Sequence, residues 1–328
     1  MRPRIFVTQP VAESALVRLR AVGEVDVNPD DGRILAKGRL CAALRKHDLL
    51  FALLHDTVDR DVLAANPKLR AVASMCTTPD RIDVAEATRR GIPVTVIAPV
   101  VHEATADIAF GLILAIARRI VEGHELARAG GFPGSQSIRL AGASVYGSTL
   151  GLVGGAGRVG QAVARRAAGF SMRTLYCDPR RLPEEDERKL GMARVGLEEL
   201  LASSDFVSLH APMQPETRHM IDDRALGLMQ RSAFLINTAR GPLVDEAALI
   251  RALRAGLIAG AGLDVFEHEP RIAAALRKMP NVVLTPHLGS AVRALREQQA
   301  NLVVDNILAL LDGRQPPNCV NPEVMAAS

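Results

Sequence analysis

Three side chains in the second half of the chain, Arg240, Glu269 and His287, could act together on a carbonyl compound. Arg240, Asp264, Glu269 and His287 each come a few residues after a short apolar, strand-like run. The carboxyl ends of parallel strands meet at one edge of a sheet, and ligands of open α/β sheets bind outside that edge. We therefore expect these four side chains to lie close together.

Their chemistry fits the interconversion of a 2-keto acid and a 2-hydroxy acid. A guanidinium such as that of Arg240 can bind a carboxylate through two parallel hydrogen bonds and polarise the adjacent carbonyl. His287 can give a proton to the carbonyl oxygen as hydride arrives and take it back in the other direction. Glu269 would stabilise the imidazolium, although Glu267 is a neighbouring candidate for that role.

A glycine-rich stretch, GLVGGAGRVG at residues 151–160, lies before these segments. A dinucleotide-binding turn needs one glycine for the turn, a second where the backbone meets the pyrophosphate, and a third where the helix packs on the strand. Gly155, Gly157 and Gly160 have this spacing, with Arg158 and Val159 between the last two. The stretch follows an apolar run and opens a helical pattern, which favours a cofactor site.

Asp178 stands eighteen residues after Gly160, at the end of the next strand-like run. A carboxylate at this position accepts hydrogen bonds from the ribose hydroxyls and repels a 2′-phosphate, so NAD is favoured over NADP. Arg180 and Arg181 are close enough to accommodate the extra phosphate, which keeps NADP as the alternative.

The elements that must position these residues follow a βα alternation, which is typical of parallel sheets covered by helices. The predicted strands are 5–7, 49–54, 71–73, 94–96, 150–153, 174–177, 206–209, 233–236, 261–263 and 282–284. The predicted helices are 13–22, 38–45, 84–90, 101–129, 159–168, 246–255 and 292–311. A chain of 328 residues favours two domains rather than one core.

Composition excludes other classes of protein. The net charge is only +4, no long Lys/Arg block occurs, and 3% of residues are aromatic, so nucleic-acid binding is not expected. The longest apolar run, 108–117, is far shorter than the roughly 20 residues that span a bilayer. The four cysteines have no metal-binding spacing, so we expect no metal site and reduced thiols in a cytoplasm.

Five segments together resemble the D-isomer-specific 2-hydroxyacid dehydrogenases over nearly the whole chain. They read EATADIAFGLILAIARRI, ASSDFVSLHAPMQPETRHMI, INTARGPLVDEAAL, AGLDVFEHEP and LTPHLGSA. The resemblance implies that Arg240, Glu269 and His287 are catalytic and that Asp264 holds the nicotinamide carboxamide. It also implies a cofactor site lined by other residues of these segments: Thr105, His210, Pro212, Thr238, Ala239, His287 and Gly289.

The same resemblance implies an architecture and an assembly. We expect an α/β protein with two Rossmann-like or flavodoxin-like parallel-sheet domains and an active site in the cleft between them. Residues 1–99 with 291–328 would form the substrate-binding domain, and residues 100–290 the NAD-binding Rossmann domain. Members of the family are usually dimers, so we expect a homodimer that pairs through the cofactor domain.

The sequence departs from the family in the loop that holds the substrate carboxylate. Family members carry a loop of the form G-x-G-Y-D-N-I-D, whereas residues 76–83 read CTTPDRID, without either glycine. Pro79 stiffens this loop and removes a donor, while Cys76, Thr77 and Thr78 are expected to contact the substrate. Either the loop keeps the family's backbone path, or the pocket takes a charged or bulkier acid than glyoxylate. His55, after an earlier strand, is also expected to reach the pocket.

The glycine stretch also departs from the family. Members run T-x-G-x-x-G-x-G-x-x-G, with five steps from the threonine to the first turn glycine, but Thr149 and Gly155 are six steps apart. We expect a bulge at Val153–Gly154 to absorb the extra residue, since glycine tolerates the backbone angles that a bulge needs.

Two other functions remain possible on the sequence alone. Phosphite oxidation uses the same scaffold and a similar trio, whereas formate oxidation is disfavoured because that branch replaces Glu269 by Gln. A dinucleotide-sensing binding protein is the alternative from another class, and it is less expected because no tail or disordered segment for recruiting partners is evident. His210 invites a catalytic interpretation, but a structural or cofactor-lining role is favoured over it.

Overall fold

The computed structural model describes residues 2–132, 134–135 and 138–326. The chain divides into two compact units, Met1–Val100 with Val292–Ser328, and Val101–Ala291. The domain boundaries expected from the sequence lie one residue from these limits. The binding role assigned to each unit, and the cleft expected between them, stay predictions.

The first unit begins with an alternation of short strands and helices. Its strands are β1 (Arg4–Val7), β2 (Glu24–Val27), β3 (Leu49–Ala52), β4 (Ala71–Ser74) and β5 (Val94–Thr95). Its helices here are α1 (Glu13–Val22), α2 (Lys37–Leu44), α3 (Arg60–Ala64) and α4 (Val84–Arg89). The strands form one sheet in the order β2-β1-β3-β4-β5, and every pair is parallel.

The second unit is a larger sheet of the same type. Its strands are β6 (Thr149–Val153), β7 (Arg173–Cys177), β8 (Met192–Arg194), β9 (Phe206–Leu209), β10 (Phe234–Asn237), β11 (Gly260–Leu263) and β12 (Val282–Leu284). Its helices are α5 (His102–Ala117), α6 (Ile120–Arg128), α7 (Arg158–Ala168), α8 (Glu184–Leu190), α9 (Leu197–Ser203), α10 (Asp223–Leu228) and α11 (Glu246–Ala255). Short 3-10 turns cover Pro215–Thr217, Gly241–Leu243 and Leu276–Lys278. The strand order is β12-β11-β10-β9-β6-β7-β8, again parallel throughout.

The last helices, α12 (Arg293–Leu311) and α13 (Glu323–Ala326), belong to the first unit. Ala300 and Val303 of α12 share a buried core with Ile5 and Phe51 of the sheet. Further on, the side-chain oxygen of Asn321 accepts a hydrogen bond from the N–H of Val94, 227 residues away in sequence. The C-terminal segment therefore completes the unit that the N-terminal segment begins.

Both faces of each sheet are buried, because successive strand side chains point to opposite faces and helices cover both. In the first unit Leu49 and Phe51 face α1 and α12, whereas Leu50 faces α2 and α3. In the second unit Leu152 faces α5 and α7, whereas Val153 faces α9 to α11. No helix in the described residues has the length and apolar character needed to cross a membrane.

The expected fold class is confirmed, but some predicted elements differ. The single helix predicted over 101–129 is two helices, because Arg119 adopts a left-handed conformation (φ 52°) between α5 and α6. Strands β2 and β8 were not predicted. Both lie at sheet edges, where a short strand of mixed polarity leaves no continuous apolar run.

Candidate active site

His287 and Glu269 form a hydrogen-bonded pair at the carboxyl-terminal edge of the second sheet. The Nδ1 atom of His287 lies 3.1 Å from Oε2 of Glu269, and the two side chains are only 18% and 12% exposed. The other oxygen of Glu269 accepts a hydrogen bond from the N–H of Phe266 at 3.0 Å. Both oxygens of the Glu269 carboxylate therefore have a partner, and the carboxylate fixes the position of Nδ1 of the His287 imidazole.

Glu267, the neighbouring candidate, has a different partner. Its Oε1 atom lies 2.6 Å from Nε2 of His219 and 3.3 Å from the guanidinium of Arg218. Burial acts to raise the pKa of Glu267, but the hydrogen bond with His219 and the backbone around it hold that pKa below its usual value. The sequence leaves two glutamates as candidates for the partner of His287. The structure pairs Glu269 with His287 and Glu267 with His219.

Asp264 organises the loop that carries His287. Its side chain is fully buried; Oδ1 accepts from the hydroxyl of Thr285 (2.6 Å) and the N–H of Leu288 (2.7 Å), and Oδ2 accepts from the N–H of Gly289 (2.9 Å). Burial raises the pKa of Asp264, and these hydrogen bonds oppose that shift. His287 itself has a positive φ of 56°, a conformation that this network holds in place. The predicted contact of Asp264 with the nicotinamide stays a prediction.

Arg240 follows β10 in a loop that Asn237 shapes. The Asn237 side chain accepts from the N–H of Ala239 (3.0 Å) and donates to the carbonyl of Arg240 (2.9 Å). A Cβ atom on Gly241 would overlap the backbone of Phe266, so the two loops touch without room for any side chain. The loop of Arg240 therefore lies against the loop of Glu269, as the shared sheet edge predicts.

The glycine turn joins β6 to α7. Gly157 is the N-cap of α7, and no side chain caps that helix. A Cβ on Gly155 would lie 2.5 Å from that of Tyr176, and one on Gly160 would lie 2.6 Å from the Cα of Gly155. Only glycines allow the helix to start this close to the strands, while Arg158 and Val159 begin the helix itself.

The bulge expected at Val153–Gly154 is wrong. Strand β6 pairs residue by residue with β7 and β9 as far as Val153, so its register is regular to the end. Gly154 then begins the turn with φ +81°, and a Cβ there would lie 2.6 Å from the backbone nitrogen of Ala211. The extra residue is accommodated in the turn, and Gly154 is one of its most constrained residues.

We expect Gly154→Ala to lower the free energy of unfolding by about 2–4 kcal/mol, since the substitution adds left-handed strain and a backbone clash. Urea unfolding measures the loss. Gly147→Ala is the matched control: Gly147 also has a positive φ (+72°), but nothing lies within 4 Å of its Cβ position. The control should cost about 1 kcal/mol from strain alone, and equal losses in the two variants would contradict the clash.

Asp178 connects the end of β7 to the glycine turn. Its Oδ2 atom accepts from the N–H of Ala156 (3.1 Å), and Oδ1 accepts from the N–H of Arg180 (2.9 Å). The guanidinium of Arg180 donates to the carbonyl of Ala156. Arg181 pairs with Glu187 instead. The carboxylate expected to meet the ribose thus lies beside the turn expected to meet the phosphates.

Two observations fit a dinucleotide in this unit. The hydroxyl of Thr238, after β10, is buried and has no hydrogen-bond partner among the described residues. The N-terminus of α7, an eleven-residue helix, follows a glycine turn, and no side chain caps it. A helix N-terminus of this kind attracts phosphate. The residues present therefore fit the cofactor that the sequence predicts.

Other predicted cofactor residues lie at the same edge. The Thr105 hydroxyl is 3.2 Å from the carbonyl of Gly289, which joins the start of α5 to the His287 loop. The Pro212 carbonyl accepts from the hydroxyl of Thr217 in the segment after β9. Ala239 is held by Asn237, as described above.

His210 follows β9 directly and is not suited to acid–base chemistry. Its Nε2 atom lies 2.9 Å from the hydroxyl of Ser208, and its Nδ1 is buried without a partner among the described residues. Burial lowers the pKa of His210 to about 3, so the ring is neutral at physiological pH. This favours the structural or cofactor-lining role.

The predicted substrate residues of the first unit follow two adjacent strands, His55 after β3 and the segment 76–78 after β4. The N–H of Cys76 donates to the hydroxyl of Ser74 (3.2 Å), and its thiol lies 3.8 Å from the carbonyl of Leu54. None of residues 76–83 has a positive φ, so this loop needs no glycine for its path. Asp56, next to His55, is buried and accepts from the N–H of Leu53 (2.7 Å).

Comparison with known proteins places these features in a family. Residues 110–289 match the family described as D-isomer specific 2-hydroxyacid dehydrogenase, NAD binding domain. A glyoxylate reductase of Thermococcus litoralis is 44% identical across 100% of this chain and 99% of its own. One from Korarchaeum cryptofilum is 47% identical over 99% and 98%.

A solved structure is similar to this chain over nearly its whole length. The TT0316 protein of Thermus thermophilus is 43% identical, with a TM-score of 0.87 over 97% of this chain and 99% of that one. The match covers both units, so the family resemblance of the sequence is confirmed along the chain. This chain is therefore a member of the D-isomer-specific 2-hydroxyacid dehydrogenase family, an NAD-dependent dehydrogenase with two parallel α/β domains.

Proposed function

We propose that this chain reduces a 2-keto acid to a D-2-hydroxy acid with NADH, and catalyses the reverse reaction with NAD. The observation that carries the proposal is the His287–Glu269 pair, held by a buried network in the unit that also contains the glycine turn. Relatives named glyoxylate reductases support glyoxylate as the first substrate to test. The same relatives disfavour phosphite oxidation and a purely sensing role.

Each residue of the trio has a separate task in this proposal. The nicotinamide, when bound, supplies or accepts the hydride. Arg240 binds the substrate carboxylate and polarises the neighbouring carbonyl. His287 donates the proton that the carbonyl oxygen needs, and Glu269 stabilises the imidazolium through Nδ1, which leaves Nε2 as the nitrogen that exchanges the proton.

The proposed preference for NADH depends on Asp178. Its carboxylate stands beside the glycine turn, where it would accept from ribose hydroxyls and repel a 2′-phosphate. Arg180 is the residue that could favour NADPH, but its guanidinium donates a hydrogen bond to the carbonyl of Ala156. Thr105, Pro212, Thr238, Ala239 and Gly289 are proposed to line the rest of the cofactor site.

A substrate screen tests both parts of the proposal. Glyoxylate, hydroxypyruvate, pyruvate and bulkier 2-keto acids are each assayed with NADH and with NADPH, and phosphite is assayed with NAD. We expect turnover of at least one 2-keto acid and a higher kcat/KM with NADH. Turnover of phosphite alone, or of no substrate while NADH binds, would overturn the reaction; a preference for NADPH would overturn the role of Asp178.

We also propose a homodimer that pairs through the second unit, in a cytoplasm. Helix α6 buries none of its residues within the chain, and Ile120 and Val121 expose apolar side chains there, at 53% and 43%. Exposed apolar groups of this kind mark interaction surfaces. None of the four cysteines, all of which lie in the described residues, forms a disulfide, which supports a reducing compartment.

A further inference from the structure

Ser208 and His210 form a hydrogen-bonded pair in the second unit. Ser208 lies in β9 and His210 directly follows this strand, so the alternation of side chains along a strand places both on one face of the sheet. The hydroxyl of Ser208 lies 2.9 Å from Nε2 of His210. Phe206, on the same face of β9, packs in the core that α5 and α7 cover. The pair therefore lies on the face of the sheet where α7 begins.

The surroundings of Ser208 determine which nitrogen of His210 carries the ring hydrogen. Ser208 is fully buried, and in the described part of the chain its hydroxyl has no hydrogen-bond partner other than Nε2 of His210. If Nε2 were the donor, the hydroxyl hydrogen would be buried without an acceptor, which is costly. The hydroxyl therefore donates to Nε2. Because burial lowers the pKa of His210 to about 3, the ring is neutral and its single hydrogen is on Nδ1.

The N–H of Nδ1 is thus a buried donor, and it has no acceptor among the described residues. The hydroxyl of Thr238 is a second buried group without a partner there. The two are neighbours: Leu209 is the last residue of β9 to pair with β10, opposite Asn237, and His210 and Thr238 are the next residues of the two chains. Two unsatisfied polar groups at adjacent strand ends are complementary to a polar ligand.

The strand order indicates which part of a dinucleotide would reach His210. On one side of β9 lies β6, which leads into the glycine turn at Gly154, and beyond it β7, which leads to Asp178. On the other side lie β10 and β11, which lead to Thr238 and Asp264. His210 therefore stands between the turn proposed to hold the phosphates and the residue assigned to the nicotinamide. The groups that a dinucleotide has between these points are phosphate and ribose oxygens, which accept hydrogen bonds.

We infer that Ser208 is a positioning residue for the cofactor: its hydroxyl holds His210 in the tautomer whose Nδ1–H donates a hydrogen bond to an oxygen of the nicotinamide ribose or of the phosphate next to it. This inference rests on the proposed function, because the dinucleotide supplies the acceptor oxygen. It gives a neutral, buried histidine a binding role that needs no acid–base chemistry. Ser208 acts only through the histidine.

The tautomer can be observed directly in the protein without cofactor. Nitrogen NMR of protein with isotope-labelled histidine distinguishes Nδ1–H from Nε2–H, and the signals that are missing in His210→Asn are those of His210. We expect Nδ1–H in the parent protein. In Ser208→Ala we expect a shift toward Nε2–H, because nothing then holds the hydrogen on Nδ1. Nε2–H in the parent protein would overturn the inference.

Binding is measured with ADP-ribose, which has both phosphates and both riboses but cannot react. We expect Ser208→Ala to raise the Kd for ADP-ribose and for NADH roughly 5- to 50-fold, because the acceptor oxygen then faces the lone pair of Nδ1. The Kd for AMP, which lacks the second phosphate and ribose, should change less than about twofold. The control is Ser204→Ala, which removes another fully buried hydroxyl, one that donates to the carbonyl of Leu200 just before β9. It should change none of these Kd values more than about twofold.

His210→Asn separates the effect of the tautomer from the packing of Ser208. The asparagine amide can present an N–H in place of Nδ1 without help from Ser208, so adding Ser208→Ala to His210→Asn should change the Kd for ADP-ribose less than about twofold. A loss as large as in the parent background, an equal loss for AMP, or unchanged ADP-ribose binding in Ser208→Ala would overturn the inference. No turnover of any 2-keto acid, with ADP-ribose binding that depends on Ser208, would contradict the proposed reaction and leave this site standing.

Discussion

His287→Asn should lower kcat by roughly 10²–10⁴-fold and leave NADH binding intact, because general acid–base catalysis typically contributes that much to a rate. Asparagine tolerates the positive φ of residue 287 better than most residues, so the loop held by Asp264 should keep its shape. The amide has no proton to give at neutral pH. Steady-state kinetics and NADH titration measure the two effects separately.

The chain offers a closely matched control for this variant. His219 also has a positive φ (52°) and also pairs with a glutamate, Glu267, at 2.6 Å. His219→Asn makes the same chemical change in the same backbone conformation, away from the proposed trio. It should lose a hydrogen bond and some stability, yet keep kcat within about threefold. Comparable losses of kcat in both variants would argue that His287 has only a structural role.

Arg240→Lys should lower kcat/KM roughly 10²–10³-fold. Lysine keeps the charge but cannot form the two parallel hydrogen bonds that a guanidinium gives to a carboxylate, and each charge-assisted bond contributes about 1.5–3 kcal/mol. The loss should appear in KM as well as in kcat, since the carboxylate is bound both before and during the reaction.

The control for Arg240→Lys is Arg231→Lys, which makes the same change at an exposed residue before β10. Its kinetics should match those of the parent enzyme. A tenfold or smaller loss in Arg240→Lys would mean that the guanidinium supplies only charge. The bidentate role would then be wrong, even if the rest of the site is right.

Much of the fold could be predicted from the sequence because buried parallel strands are continuous apolar runs. Helix Glu13–Val22 and strand Phe206–Leu209 have the predicted limits. The break before α6 could not be predicted, because Arg118 and Arg119 are neither glycine nor proline and tertiary packing determines the left-handed turn.

In the site, too, features that depend on neighbouring residues in the sequence could be predicted, whereas contacts between residues distant in the sequence could not. Its residues could be predicted because their types and their place after strands suit one reaction. Glu269 was the predicted partner of His287, but its neighbour Glu267 could not be dismissed from the sequence, because the partner of Glu267 is His219, which lies 48 residues away in sequence. Gly154 was misjudged for a related reason: the atoms that exclude a side chain there belong to the segment after β9.

Asn237 and Gly241 were missed altogether. Asparagine after a strand is common, so its two hydrogen bonds within the loop have no sequence signal. Gly241 has an ordinary φ, and only the approach of the Phe266 backbone reveals its importance.

The return of the C-terminal segment to the first sheet has a consequence for the order of folding during synthesis. The second unit is one continuous stretch, and its core is complete once residue 291 has left the ribosome. The first sheet emerges earlier but lacks Ala300, Val303 and the other α12 residues that cover one of its faces. That face stays exposed to water until α12 has also been made, so the unit whose sheet is made first is the unit that is completed last.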